Sequence, residues 1–122
     1  MVVGRRLERL GEQLRRELAG LIRHQVRDPD VGSVIVTGVD VTSDLWLARV
    51  YVQSTGTAEE QTRTLAGLTR AAPFLRSTLG KNLHIRRMPE LRFMADDSVR
   101  AGQRIEEILR DVLPSEAEGE EE

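Results

Sequence analysis

The chain has 122 residues, 39% of them hydrophobic, enough for one domain with a single core and too few for two ordinary domains. It contains no cysteine, which excludes disulfides, thiolate nucleophiles and thiolate metal sites, and its 3% aromatic content argues against a surface that works mainly by stacking bases on rings. The net charge of -2 hides an uneven distribution: the terminal PSEAEGEEE holds five glutamates and no base, and without them 15 acidic residues face 18 basic ones, a balance of +3. Residues 1–113 are therefore expected to form a basic domain, and residues 114–122 a solvated, disordered acidic tail with nothing to bury. No apolar run approaches the roughly 20 residues of a membrane helix, and the opening MVVGRRLERL has no apolar signal core. A cytoplasmic protein without a membrane partner is expected.

The first element is RRLERLGEQLRRELAGLIRHQV, residues 5–26, with leucines at 7, 10, 14, 18 and 21. At about 100° per residue these fall within an arc of about 80°, the mark of an amphipathic helix. Arg5, Arg9, Arg16, Arg23 and, if the helix reaches it, Arg27 fall within about 40° of one another on the opposite side. Glutamates usually intersperse a solvated charged face, but here only Glu12 comes near the stripe, at its margin. The five arginines are read as candidate phosphate contacts to RNA, the alternative being a plain solvated face. Asp28-Pro29 stops the helix, because the residue before proline is pushed out of helical backbone.

SVIVTGVDVT and LWLARVYVQ then alternate as strands and read as an antiparallel hairpin closed by Ser43-Asp44. Trp46, Ala48, Val50 and Val52 are assigned to the core face, which leaves stacking of Trp46 on a base as the less favoured reading. Thr57 and Glu60 have capping-box spacing and start a second helix, expected to run to about Ala72 with Leu65 and Leu68 inward. Pro73 lacks an N–H and fits best as the first residue of a new helix. RAAPFLRSTLGKNL is thus expected to form helix, corner at Ala71-Ala72-Pro73, then helix, anchored by Phe74, Leu75 and Leu79. A third strand is expected within LHIRRMPELRFM, with Leu91 and Phe93 on one face and Pro89 marking an edge or bulge. Asp97 or Ser98 caps a last helix with Ile105, Ile108, Leu109 and Val112 as its apolar stripe. A second basic segment, Arg70, Arg76, Lys81, Arg86 and Arg87, straddles the corner, where a free helix N-terminus would favour phosphate.

The fold class implied is α+β: a type II KH-like single domain, order α-β-β-α-(kink)-α-β-α, with a three-stranded sheet covered by helices. KH domains clamp the nucleic-acid backbone with a Gly-x-x-Gly loop, and this chain has none. The ordered combination RRELAGLIRHQVRDP, VTGVDVTSDLWLARVYV and LRSTLGKNLHIRRMPELRFMADDS, from about Arg5 to Leu109, resembles the bacterial ribosome-binding factor A family. That family has a KH-like fold with a kink of Ala-x-Gly type, and this chain departs from the pattern by placing Pro73 where the glycine stands. The resemblance implies a non-enzymatic factor for the small (30S) ribosomal subunit, binding chiefly 16S rRNA during late maturation and rRNA processing, and mattering most in the cold. A monomer without cofactor or metal is expected, and a release GTPase is left open as a further partner. Two other readings stand beside it: a general single-stranded RNA binder of KH-like topology, and a protein-interaction module pairing through the leucines of the first helix. His24 and His84 lie among arginines rather than carboxylates, and no nucleophile with a base is visible, so an enzyme is the least favoured class.

Overall fold

The structure is a computed structural model that describes residues 2–85 and 87–96, together with positions 106 and 109. Helix α1 spans Val2–Gln25 and puts Leu14, Leu18, Leu21 and Ile22 into the core, with Leu10 partly buried at the margin. It ends before Arg27, so that residue is exposed but does not continue the helical stripe. Strands β1, Val34–Val41, and β2, Leu47–Ser54, pair antiparallel, and β3, Glu90–Ala95, adds to β2 in parallel to give the order β1-β2-β3. Helix α2, Ala58–Leu83, connects β2 to β3. This is the α+β, type II KH-like arrangement anticipated from the element order, with the inward residues of all three strands and both helices in one core cluster.

The N-terminus of α2 is built as its sequence requires: Glu60 N–H donates to Thr57 Oγ1 at 3.2 Å, and Thr57 N–H reaches Glu60 Oε1 at 3.4 Å. The expected break at Pro73 does not occur. Backbone stays helical from Ala58 to Leu83 with Pro73 inside, so the corner is a proline within one continuous helix and presents no free helix start. Proline in a helix interior costs about 3 kcal/mol, through a lost hydrogen bond and a clash with the carbonyl four residues back, here that of Thr69. Leu68 on one side, and Leu75 and Leu79 on the other, are fully buried in the same core. At about 1.5–3 kcal/mol for each buried leucine, continuity outweighs the break. Thr69 and Pro73 are exposed, so water can take the orphaned carbonyl. Phe74, expected as an anchor, points the other way and is 44% exposed.

The hairpin differs from expectation in two places. Its connection runs from Thr42 to Trp46 rather than over Ser43-Asp44 alone, with Leu45 in left-handed backbone at φ 63°. That excursion interrupts the alternation, so Ala48, Val50 and Val52 face the core while Trp46 is 57% exposed. In β1 the register shifts between Val36 and Gly38, and the extra residue, Thr37, is buried. Its hydroxyl bridges Tyr51 O at 3.1 Å and Asp96 Oδ2 at 2.6 Å, joining the bulge to the end of β3. The third strand is shorter than expected because Pro89, fully buried and unable to donate, stands immediately before it. The last helix lies outside the described residues except at Glu106 and Leu109, which are both helical and exposed. The expected cap at Asp97 or Ser98, residues 105, 108 and 112, Arg86 and the acidic tail also lie outside them.

Two close approaches fix how the helices sit. A Cβ on Gly11 of α1 would stand 2.4 Å from the Val39 carbonyl oxygen, so α1 crosses β1 with backbone nearly touching backbone. The loop after α1 is tied to α2 instead: Thr64 Oγ1 donates to Asp30 O at 3.2 Å, and Gly67 leaves room for Val31, whose Cγ2 would lie 2.7 Å from an added Cβ.

Candidate RNA-binding surface

Because the leucine face of α1 is pinned to the sheet, its opposite face must look outward. Arg5, Arg9, Arg16 and Arg23 are all exposed along it, and Arg27 is exposed just past the helix end. Glu12 borders this stripe as its sequence position suggests. It is held mainly by Arg15, which hydrogen-bonds both carboxylate oxygens, and lies 3.5 Å from Arg16 Nε. The Arg15 hydrogen bond, with help from the two positive charges, holds the Glu12 carboxyl below its ordinary value despite partial burial.

The second basic segment does not form a comparable surface. Arg70 is engaged in a fork with Asp28, Nε to Oδ2 at 2.9 Å and Nη2 to Oδ1 at 3.0 Å, and also reaches Asp30 Oδ2 at 2.7 Å. These acids arrive from the loop after α1, some 40 residues away in sequence, and hold the guanidinium firmly protonated. Arg76 donates to Pro89 O at 3.0 Å and Met88 O at 2.9 Å, so its head group fastens the approach to β3. Lys81 is exposed in the last turn of α2, and Arg87 stacks on Trp46 with its guanidinium carbon 3.4 Å from the ring centroid. Arg86 lies outside the described residues. Ala71 and Ala72 are partly buried against the core, and because the helix runs on through Pro73 the expected corner presents no helix start there.

Two further arginines lie outside both basic segments. Arg49 and Arg92 are Cα partners across β2 and β3, at positions that alternate with the buried Ala48, Val50, Leu91 and Phe93. They therefore share the sheet face turned away from α1 and α2. Strand alternation alone would have singled them out, had the parallel pairing been known. Among the described residues no group of His, Asp and Glu could hold a metal ion, and no helix is long and apolar enough to cross a membrane.

The sequence matches the family model for Ribosome-binding factor A over residues 6–109. A Brevibacillus brevis protein of that name is 43% identical over 107 residues, 88% of each chain. The chain belongs to the ribosome-binding factor A family. Its fold is similar to the crystal structure of ribosome-binding factor A from Thermus thermophilus, with a TM-score of 0.64 and 30% identity over 73% of this chain and 94% of that one. It is also similar to a homology model of the Thermus thermophilus factor fitted into a cryo-EM map of its 30S complex, with a TM-score of 0.58 and 31% identity over 69% of this chain and 88% of that one. Within this family, the present chain combines a continuous proline-bearing α2 with an arginine-lined α1.

The fold of the site also has an acid limit. Asp28 is held below its ordinary 3.8 chiefly by the Arg70 hydrogen bond and then by the Asp30 N–H, and Asp44 by the Thr42 hydroxyl and the Trp46 N–H. A carboxyl whose folded value is depressed contributes stability above its unfolded value and loses it as pH falls through the folded one. The thermal midpoint should therefore be insensitive to these groups from pH 6 to 8 and fall below about pH 4. An Arg70→Gln variant should be less stable than the parent at neutral pH, with the gap closing in acid. A gap that stayed constant down to about pH 2.5 would show that the Arg70 pairing contributes nothing through ionised Asp28.

Proposed function

We propose that this chain is a non-enzymatic assembly factor that binds the small ribosomal subunit, chiefly its 16S rRNA, during late maturation and rRNA processing, as a monomer in the cytoplasm. The observation that carries the reading is the row of exposed arginines on α1, held rigid by the leucines behind it. A cationic helix of this kind meets phosphates and the wide minor groove of A-form RNA without needing to read bases. Family membership supports the ribosome as the partner, and the 30S complex of the Thermus factor supports the small subunit. Charge brings the surface to RNA, and the fixed geometry of α1, Lys81 and Arg87 selects a folded site present at one stage of assembly.

Co-sedimentation with isolated small subunits, large subunits and joined ribosomes at near-physiological salt tests this. Selective recovery with small subunits is expected. Equal recovery with a short unstructured RNA would favour a general RNA binder, and concentration-dependent mass without RNA binding would favour an interaction module.

A further inference from the structure

Trp46 is the one tryptophan of the chain, and the fold holds it outside the core. Asp44 Oδ1 accepts its N–H at 3.0 Å, while its carbonyl accepts Glu90 N–H at 2.8 Å, so its backbone is pinned on both sides. Arg87 lies over one face of the ring, carried by the segment that Arg76 fastens through Met88 and Pro89. With one face covered, the 57% of Trp46 that remains exposed must be mainly the other face and the edge. Among the described residues no carboxylate forms an ion pair with Arg87.

We infer that Trp46 and Arg87 form a stacking platform for an unstacked nucleobase of the bound RNA, the base lying on the open indole face and its phosphate near the guanidinium. This rests on the proposed RNA-binding function and adds to it a preference for RNA in which a base is free of its own helix. An indole face accepts any base, and base–aromatic stacking contributes about 1–3 kcal/mol by alanine substitution. The neighbouring cation favours a polyanion over a neutral apolar partner. A duplex cannot supply a free base face, so the platform discriminates between an unfinished RNA site and a fully paired one.

The test uses the full chain and its Trp46→Ala and Trp46→Phe variants, with folding checked by circular dichroism. Affinity for small subunits should fall about 5- to 100-fold in Trp46→Ala and be largely kept in Trp46→Phe, with the salt dependence of both unchanged. Trp46 fluorescence should be quenched saturably by a short single-stranded oligoribonucleotide and not by a perfectly paired duplex. Wild-type affinity in Trp46→Ala would overturn the platform while leaving the assembly-factor reading intact. Lost subunit affinity without quenching by RNA would assign Trp46 to a protein contact and overturn it as well. If the parent chain fails to bind small subunits, the assembly-factor reading falls; quenching by the single strand would then still support stacking, and its absence would overturn both.

Discussion

Gly11→Ala should destabilise the domain, while Gly20→Ala, nine residues along the same helix, should stabilise it. Both changes remove a glycine from the interior of α1, and on intrinsic helix preference each should gain about 1 kcal/mol. The surroundings differ. An added Cβ at Gly20 meets nothing within 4 Å, whereas at Gly11 it would stand 2.4 Å from the Val39 carbonyl oxygen. That oxygen is part of β1 and cannot rotate away, so α1 must lift from the sheet along the line of Leu10 and Leu14. Overpacking of this kind costs about 1–3 kcal/mol and here works against a contact made by backbone, so the upper part of that range applies, and the propensity gain recovers only some of it. In a domain of this size about 1 kcal/mol moves the thermal midpoint by roughly 4 °C. Thermal or urea unfolding of the pair should therefore separate them by well over that amount, Gly11→Ala below the parent and Gly20→Ala above it. Equal midpoints would mean that α1 and β1 are not in backbone contact.

The contrast also shows what kind of information a sequence carries. Leucine spacing in α1 and the Thr57–Glu60 capping box are local patterns, and local hydrogen bonding and burial obey them. The inward set Ala48, Val50 and Val52 is legible for the same reason, yet Trp46, two residues before it, is not. Alternation holds only while the backbone remains extended, and Leu45 turns left-handed just before it. The bulge at Thr37 was signalled only by Gly38 inside a strand pattern. Pro73 illustrates the opposite failure, in which a strong local rule yields to leucines buried on both sides of it. Of the candidate site, the α1 stripe was legible because one helix carries it whole. Arg70 and Arg76 look like free cations in sequence, and are instead held by Asp28 and Asp30 or by the carbonyls of Met88 and Pro89. Long-range partners of that kind are a property of the packed chain alone.

Neutralising the α1 stripe should therefore weaken RNA binding far more than neutralising an arginine elsewhere. Arg9, Arg16 and Arg23 changed together to Gln keep similar helix propensity, and remove charge without adding repulsion. The structural loss is small: an exposed ion pair of Arg16 with Glu12, and the favourable placement of Arg23 in the last turn, about 0.3–1 kcal/mol. Binding should suffer differently. Each phosphate contact releases counterions and contributes about 0.7–0.9 to the log–log salt slope, so losing three lowers its magnitude by roughly 2–3. Carried from about 1 M salt, where the term vanishes, to about 0.1 M, that is on the order of a hundredfold in affinity for small subunits. Arg63→Gln, an exposed change on α2 outside the stripe, should stay within about twofold of the parent. The salt titration separates the two explanations that a bare affinity would confuse. If the triple variant lost affinity equally at every salt concentration, the arginines would be acting through shape or folding and not through phosphate. If it bound like the parent, the arginine row would be a solvated face, and under the proposed function Lys81, Arg87 and the Arg49–Arg92 pair on the sheet would be the next candidates for phosphate contact.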